Sequence, residues 1–242
     1  MVWYANPRNV TEDDFAAFDR ILSPAERETL SRYHRWDDQR EYGLAHALLR
    51  LQLGDHLELP PGELRIERTQ WDKPYLAGPV SPVELDFSIS HAHDCVASGI
   101  CDSGGIGIDV ESCDRDPGID SIAGLCLTAG EQRSLQGVPA DARKRVFMTI
   151  WTLKEAFLKA IGKGFSIPPT EVEFDIDAII ARIPRMVKGV RGISFSPTFH
   201  LFNPSSRHAG AVATCSRDLS EISISFRCVP IAAFRAMLSD YV

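Results

Sequence analysis

Two nine-residue segments set the first limit on architecture. Leu22-Ser-Pro-Ala-Glu-Arg-Glu-Thr-Leu30 and Leu127-Thr-Ala-Gly-Glu-Gln-Arg-Ser-Leu135 lie 105 positions apart, and both open with the S/T-x-x-E capping box of a helix start. At the same offset each is followed by a helical pattern, Asp38–Leu53 and Ala142–Ile161, with Arg40 opposite Arg145. Short alternating strand patterns come next, Glu63-Leu-Arg-Ile-Glu-Arg68 and Glu171-Val-Glu-Phe-Asp-Ile176. The competing account is chance similarity between two helix starts. Duplication predicts an α+β fold of two pseudo-symmetric α/β lobes, residues 1–104 and 105–242, joined near Asp102–Ile106, with the active site in the cleft between them. The Gly- and Pro-interrupted run Arg182–Pro197 reads as a turn-rich excursion between strands, its charges solvated.

Composition narrows the functional classes. With 242 residues, 44% of them hydrophobic, the chain can bury one large core or two small ones. A net charge of −7 disfavours nucleic acid as the main ligand, because phosphate-backbone binders carry a basic surplus. The opening MVWYANPRNVTEDD has neither a basic n-region nor an apolar h-region, and no stretch approaches the ~18 apolar residues of a membrane span, so a cytoplasmic protein without a membrane partner is expected. The six cysteines form no C-x-x-C pair and read as reduced thiols, mostly core filler.

Four segments carry chemistry. In Gly105-Ile-Gly-Ile-Asp-Val-Glu111, apolar Ile106, Ile108 and Val110 alternate with Gly107, Asp109 and Glu111, so a strand would present both carboxylates on one side. Two such acids repel each other unless a cation lies between them, and their hard oxygens suit Mg²⁺; standing alone, the motif would read first as a solvated strand face. Trp151-Thr-Leu-Lys-Glu-Ala-Phe-Leu-Lys-Ala-Ile161 is a helix ended by glycines, with Trp151, Glu155 and Lys159 on one stripe; an exposed Glu–Lys pair beside a packed Trp is the plainer reading of that spacing. Leu85-Asp-Phe-Ser-Ile-Ser-His91 is an alternating strand that collects hydroxyl and imidazole groups before breaking at His91-Ala-His-Asp94, where phosphate contacts, zinc ligation and a simple turn all fit. Trp71-Asp-Lys-Pro-Tyr75 places Lys73 before a rigid turn. Lys163 in Gly-Lys-Gly is followed by glycine instead of Ser or Thr, so the chain has no Walker A loop.

Taken together and in order, Trp71-Asp-Lys-Pro74, Phe87-Ser-Ile-Ser-His91, Gly107-Ile-Asp-Val-Glu111 and Trp151 to Lys159 followed by Gly162-Lys-Gly resemble the 4'-phosphopantetheinyl transferases of the surfactin-synthetase type. The resemblance runs from about Ser23 to Pro168 and fades in the last third. It implies a monomer of two pseudo-symmetric lobes with coenzyme A between them. The implied reaction is transfer of the 4'-phosphopantetheine arm to a serine of an apo acyl, peptidyl or aryl carrier protein, with release of adenosine 3',5'-bisphosphate. Carriers of fatty-acid, polyketide and nonribosomal-peptide synthesis all fit. By the same resemblance Asp109, Glu111 and Glu155 look like Mg²⁺ ligands, with Mn²⁺ the alternative ion, and Glu155 is also similar to the general base. Lys159 resembles the residue that steadies the transferring phosphate, Ser90, His91 and Asp109 the contacts near the coenzyme A phosphates, and Lys73 and Arg40 contacts to the nucleotide end.

The chain departs from the pattern where two lysines of surfactin-type enzymes meet the nucleotide: it aligns Glu26 and Thr29 there, and Arg27 or Arg32 is expected to hold the adenosine end instead. Carriers of this kind are acidic, so Arg27, Arg32, Arg35 and Arg40 are expected to form a basic docking strip. Two other readings compete, a metal-dependent phosphohydrolase acting on the same pyrophosphate with water, and a non-catalytic module that binds carriers or nucleotides.

Overall fold

The computed structural model describes residues 1–77, 85–114, 118–193, 195–216 and 222–241. The first half contains strand β1 (Val2–Ala5), helices α1 (Glu12–Ile21), α2 (Pro24–Ser31) and α3 (Trp36–Leu57), and strands β2 (Ile66–Arg68), β3 (Pro74–Leu76), β4 (Asp86–Ala92) and β5 (Cys95–Cys101). The second contains β6 (Gly105–Ser112), α4 (Ile119–Cys126), α5 (Ala129–Gln136), α6 (Ala140–Ala160), β7 (Glu173–Phe174), α7 (Ile176–Ile180), β8 (Met186–Lys188), β9 (Ser196–Phe202) and β10 (His208–Ser216). After these come β11 (Phe226–Cys228) and α8 (Ile231–Ser239).

The halves repeat one topology. A first strand is followed by a capped short helix, a long helix, a small hairpin and two strands, and the sheet order is first–last–penultimate both times: β1-β5-β4 and β6-β10-β9. The helix starts form where the sequence places them, Ser23 accepting from the Glu26 N–H and Thr128 from the Glu131 N–H, with each glutamate returning to the cap's own N–H. The hairpins are β2–β3 and β7–β8. Because β8 lies inside Arg182–Pro197, that run contains a paired strand and is not all turn; residue 194 falls outside the described residues.

Each sheet is covered by its long helix. Helix α3 is buried without interruption from Glu41 to Gly54, so it behaves as a core helix and not as an amphipathic surface one. It packs chiefly on β5 and β4, with Leu44, Leu48, Trp3, Phe18 and Val96 in one cluster. Helix α6 packs on β6 and β10, joining Phe147, Ile150, Leu153 and Phe157 to Ala211 and Ala213. On the opposite face Ile106, Ile108 and Val110 share a third cluster with Val2, Ala97 and Val212, so the two sheets rest on common apolar ground.

The end of the chain returns to the beginning. Strand β11 pairs parallel to β1 as a fourth strand of the first sheet, and Phe234 and Leu238 of α8 enter the core built by Trp3 and Phe18. A division into 1–104 and 105–242 therefore does not describe the packing of these last elements, which cover the apolar side of the first half. Among the described residues no helix is long and apolar enough to cross a membrane.

Candidate active site

The seam between the halves is made by side chains. Strands β4 and β6 run parallel, and the N–H groups of Ile106, Ile108 and Val110 donate to Asp86 Oδ2 (2.7 Å), Ser88 Oγ (3.0 Å) and Ser90 Oγ (3.3 Å) respectively. Alternation along β4 puts these three acceptors in one row, and they satisfy donors that a neighbouring backbone would otherwise have to meet. Alternation along β6 turns Gly107, Asp109 and Glu111 the other way from the apolar trio, toward α6.

Gly107 fixes how closely α6 can lie. A Cβ there would stand 1.9 Å from the Ala156 carbonyl oxygen and 2.4 Å from the Ala160 nitrogen. With only hydrogen at that position, helix backbone meets strand backbone, and the stripe Trp151, Glu155, Lys159 comes down beside Asp109 and Glu111.

The resulting geometry is specific. Lys159 Nζ donates to Asp109 Oδ1 (2.8 Å), to the Ile108 carbonyl (3.1 Å) and to Ser90 Oγ (3.2 Å), while the Ser90 hydroxyl donates to Asp109 Oδ1 (2.9 Å). Trp151 Nε1 donates to Glu111 Oε1 (3.1 Å). Burial, followed by repulsion from the Asp109 charge, pushes the carboxyls of Glu111 and Glu155 each up to about 7. Asp109 Oδ2 and Glu155 Oε1 are buried without a hydrogen-bond partner.

These groups line one wall of a cleft of about 1050 Å³. The opposite wall comes from α2 and α3 and the rim from the β2–β3 hairpin. Of the residues picked out in the sequence, Ser90, His91, Asp109, Glu111, Glu155 and Lys159 all meet here. Lys73 does not: its ammonium lies 2.5 Å from Asp86 and donates to the Ala160 carbonyl (3.1 Å), tying the hairpin to the seam and to the end of α6. Nor does Arg40, which faces Asp37 (2.8 Å), Asp94 (3.7 Å) and the Arg8 carbonyl (3.3 Å). Arg27 and Arg32 are also turned from the cleft, the first bonded to the Asp19 and Leu22 carbonyls and the second to Glu28. Neither Arg27 nor Arg32 lines the cleft.

Sequence reasoning passed over four contributors. Asp86 and Ser88 make two of the seam's rungs, and a seam of this kind has no signature in either strand alone. Tyr42 and His46 line the cleft from inside a uniformly buried helix, the rings stacked with centroids 3.9 Å apart. Burial lowers His46 to about 4, so the ring is neutral near pH 7.

Among the described residues no group of three or more His, Cys, Asp and Glu side chains is gathered tightly enough to cage a metal ion. Asp109 is held by the Lys159 ammonium. The donor set still fits a hard divalent cation on chemical grounds: three carboxylates share a desolvated corner, two with affinities for protons raised by burial and then by the Asp109 charge, and two buried oxygens lack partners.

A sheet-and-helix frame holds a cleft of acids and a lysine at the meeting of two repeated units, and the comparisons with known proteins give the family of the chain. A model described as the 4'-phosphopantetheinyl transferase N-terminal region matches residues 8–100, and one described as the 4'-phosphopantetheinyl transferase superfamily matches residues 105–213. The chain belongs to the 4'-phosphopantetheinyl transferases, enzymes that move phosphopantetheine from coenzyme A to a carrier protein, and it is similar to the Sfp type. The 4'-phosphopantetheinyl transferase Sfp of Bacillus subtilis (strain 168) is 29% identical over 161 residues, covering 66% of this chain and 69% of that protein. A phosphopantetheinyl transferase of Thraustochytrium sp. is 28% identical over 210 residues, covering 82% of this chain and 72% of that protein. A holo-(acyl-carrier-protein) synthase structure from Bacillus anthracis superposes over 48% of this chain and 98% of that one at 20% identity and a TM-score of 0.42, a partial likeness.

Proposed function

We propose that this chain transfers 4'-phosphopantetheine to a serine hydroxyl of an apo carrier protein, with Asp109, Glu111, Glu155, Lys159, Ser90 and His91 as its working residues and a divalent cation, Mg²⁺ or Mn²⁺, as its metal. The observation that carries the reading is the convergence of Lys159, Asp109 and the partnerless oxygen of Glu155 at one corner of the cleft.

The chemistry asked of these side chains is modest. Phosphoryl transfer needs positioning and charge neutralisation more than covalent help. Held by Asp109, Glu111 and Glu155, the cation would neutralise charge on the pyrophosphate as its bridging bond lengthens. Lys159 and the Ser90 hydroxyl offer donors to phosphate oxygens, and His91 stands at the rim beside them. A serine hydroxyl is a weak nucleophile, so a base within reach is useful, and a carboxyl that titrates near 7 is matched to that task. Glu155 is therefore assigned the serine proton, and adenosine 3',5'-bisphosphate is the leaving group. The proposal includes a cytoplasmic monomer.

The test is intact-mass spectrometry of apo acyl and peptidyl carriers incubated with the protein, coenzyme A and Mg²⁺, with and without EDTA. A gain of one phosphopantetheine that EDTA abolishes is expected. Glu155→Gln should lower turnover by about 10²–10⁴-fold, the usual contribution of a positioned base, while calorimetry still detects coenzyme A binding. Full activity in that variant removes Glu155 from its role. Release of adenosine 3',5'-bisphosphate in the absence of any carrier would favour a hydrolase.

A further inference from the structure

Both acids of β6 have one oxygen claimed from α6. Asp109 Oδ1 receives the Lys159 ammonium (2.8 Å) as well as the Ser90 hydroxyl (2.9 Å), and Glu111 Oε1 receives the Trp151 indole N–H (3.1 Å). Lys159 and Trp151 lie about two turns apart on the stripe that Gly107 admits to the strand. The helix thus pins one oxygen of each carboxylate and leaves the other to a ligand. Asp109 Oδ2 is buried without a hydrogen-bond partner, as expected of an oxygen kept for that use.

Packing alone does not ask for tryptophan at 151. The ring is half-buried against the core cluster of the second half, a contact that any large apolar side chain could make. What indole adds is a single N–H that donates and never accepts. It also carries no charge. An ammonium in its place would neutralise Glu111 and repel a cation, whereas the indole fixes the carboxylate and leaves its negative charge available.

We infer that Trp151 is a positioning residue whose N–H restricts Glu111 to offering a cation one oxygen instead of two, and that the corner restricted in this way selects Mg²⁺ or Mn²⁺ over Ca²⁺. The inference rests on the metal assignment proposed above and names the residue that sets its selectivity. Ca²⁺ collects about six to eight oxygens and often takes both from one carboxylate, whereas Mg²⁺ requires a tight octahedral shell filled largely by water and phosphate oxygens. Two acids each reduced to a single oxygen suit the smaller ion and undersupply the larger.

The experiment titrates Mn²⁺ into the full chain with and without coenzyme A, reading water-proton relaxation against a chain-free control, and then competes the bound ion with Mg²⁺ or Ca²⁺. Trp151→Phe removes the N–H and part of the ring. Trp151→benzothienylalanine, in which sulfur replaces the indole nitrogen, removes the N–H and keeps the shape. Both variants are expected to bind Mn²⁺ and Mg²⁺ about 10–100-fold more weakly, the usual effect of losing a group that orients a ligand, and Ca²⁺ more weakly by a smaller factor. A role in packing alone would leave ion affinity unchanged in the isosteric variant, and that result would overturn the inference while the proposed function stands, since the parent still binds its ion. Equal weakening of all three ions would overturn the assignment of selectivity to Trp151. No relaxation change from the parent chain with coenzyme A would bring down the metal assignment together with this inference.

Discussion

The two repeats contain the same buried ion pair and use it differently. In the first half, the capping glutamate of α2, Glu26, accepts from Arg50 of α3 (2.7 Å), and Arg50 also donates to the Pro61 and Leu64 carbonyls. In the second, the capping glutamate of α5, Glu131, accepts from Lys154 of α6 (2.5 Å), and Lys154 also donates to the Cys126 and Pro169 carbonyls. The architecture is one cation of the long helix gathering a helix cap and two loop carbonyls. The second pair is sealed, both side chains 0% exposed, while Glu26 remains 12% exposed because its α2 wall opens on the cleft. A structural bond repeated in two places leaves one copy free to hold a scaffold shut and lets the other share its residues with a ligand surface. The long helices diverge in the same sense. Helix α6 lies against β6 at Gly107 and brings Glu155 and Lys159 to the corner, whereas α3 lies over β5 and β4 and presents Tyr42 and His46.

The sharpest break in this comparison is Gly107→Ala, which forces a methyl into main-chain atoms of α6. It is expected to leave no cooperative unfolding transition by circular dichroism, since neither backbone can yield by the distance required. A folded, active variant would show that the close approach of α6 is dispensable. Next come the ion pairs. Lys154→Ala leaves Glu131 buried and unpaired and should cost about 3–5 kcal/mol in urea titrations, whereas Arg50→Ala should cost less because Glu26 can be reached by water. Equal losses would erase the distinction between sealed and open copies.

A third effect depends on pH. Glu111 and Glu155 ionise at about 7 in the folded chain against about 4.5 in the unfolded one, so between these values the folded state binds more protons. Metal-free protein should therefore lose stability as pH rises from 4.5 toward 7 and stay level above, with Glu111→Gln/Glu155→Gln flattening the fall. Melting in EDTA at pH 5 and 7.5 reads this, and a double variant with the same slope as the parent would place the titration elsewhere. The smallest effect is at Arg32, whose partner Glu28 is as exposed as itself: Arg32→Ala should change stability by less than about 0.5 kcal/mol.

Much of this was legible from local pattern. Capping boxes announce helix starts because they are satisfied within four residues, and the Ile106–Glu111 alternation sorts a strand's two faces without knowing its neighbours. Trp151, Glu155 and Lys159 follow from helical spacing alone. What escaped depends on partners distant in sequence. Lys73 reads as a ligand contact, and its bonds to Asp86 and to the Ala160 carbonyl come from partners that no local pattern announces. Lys154 sits in a Lys-Glu pair that suggests a surface, yet it is fully buried by Glu131. Strand β11 and helix α8 pack against residues more than 200 positions earlier, and nothing in Phe226–Cys228 names β1 as its neighbour. His46 hides in a helix buried on every side, where no periodicity marks the face that meets the cleft.

The seam between β4 and β6 has a consequence for how such a molecule can change. Main-chain ladders are beyond the reach of the genetic code, because every residue but proline brings the same peptide to the pairing. Here three acceptors belong to Asp86, Ser88 and Ser90, so the rungs between these two strands are written in three codons. A single nucleotide change can loosen, shift or remove one rung while all peptide bonds stay as they were. The alignment of the acidic corner with the α2–α3 side of the cleft is thus itself a heritable trait, open to selection one step at a time.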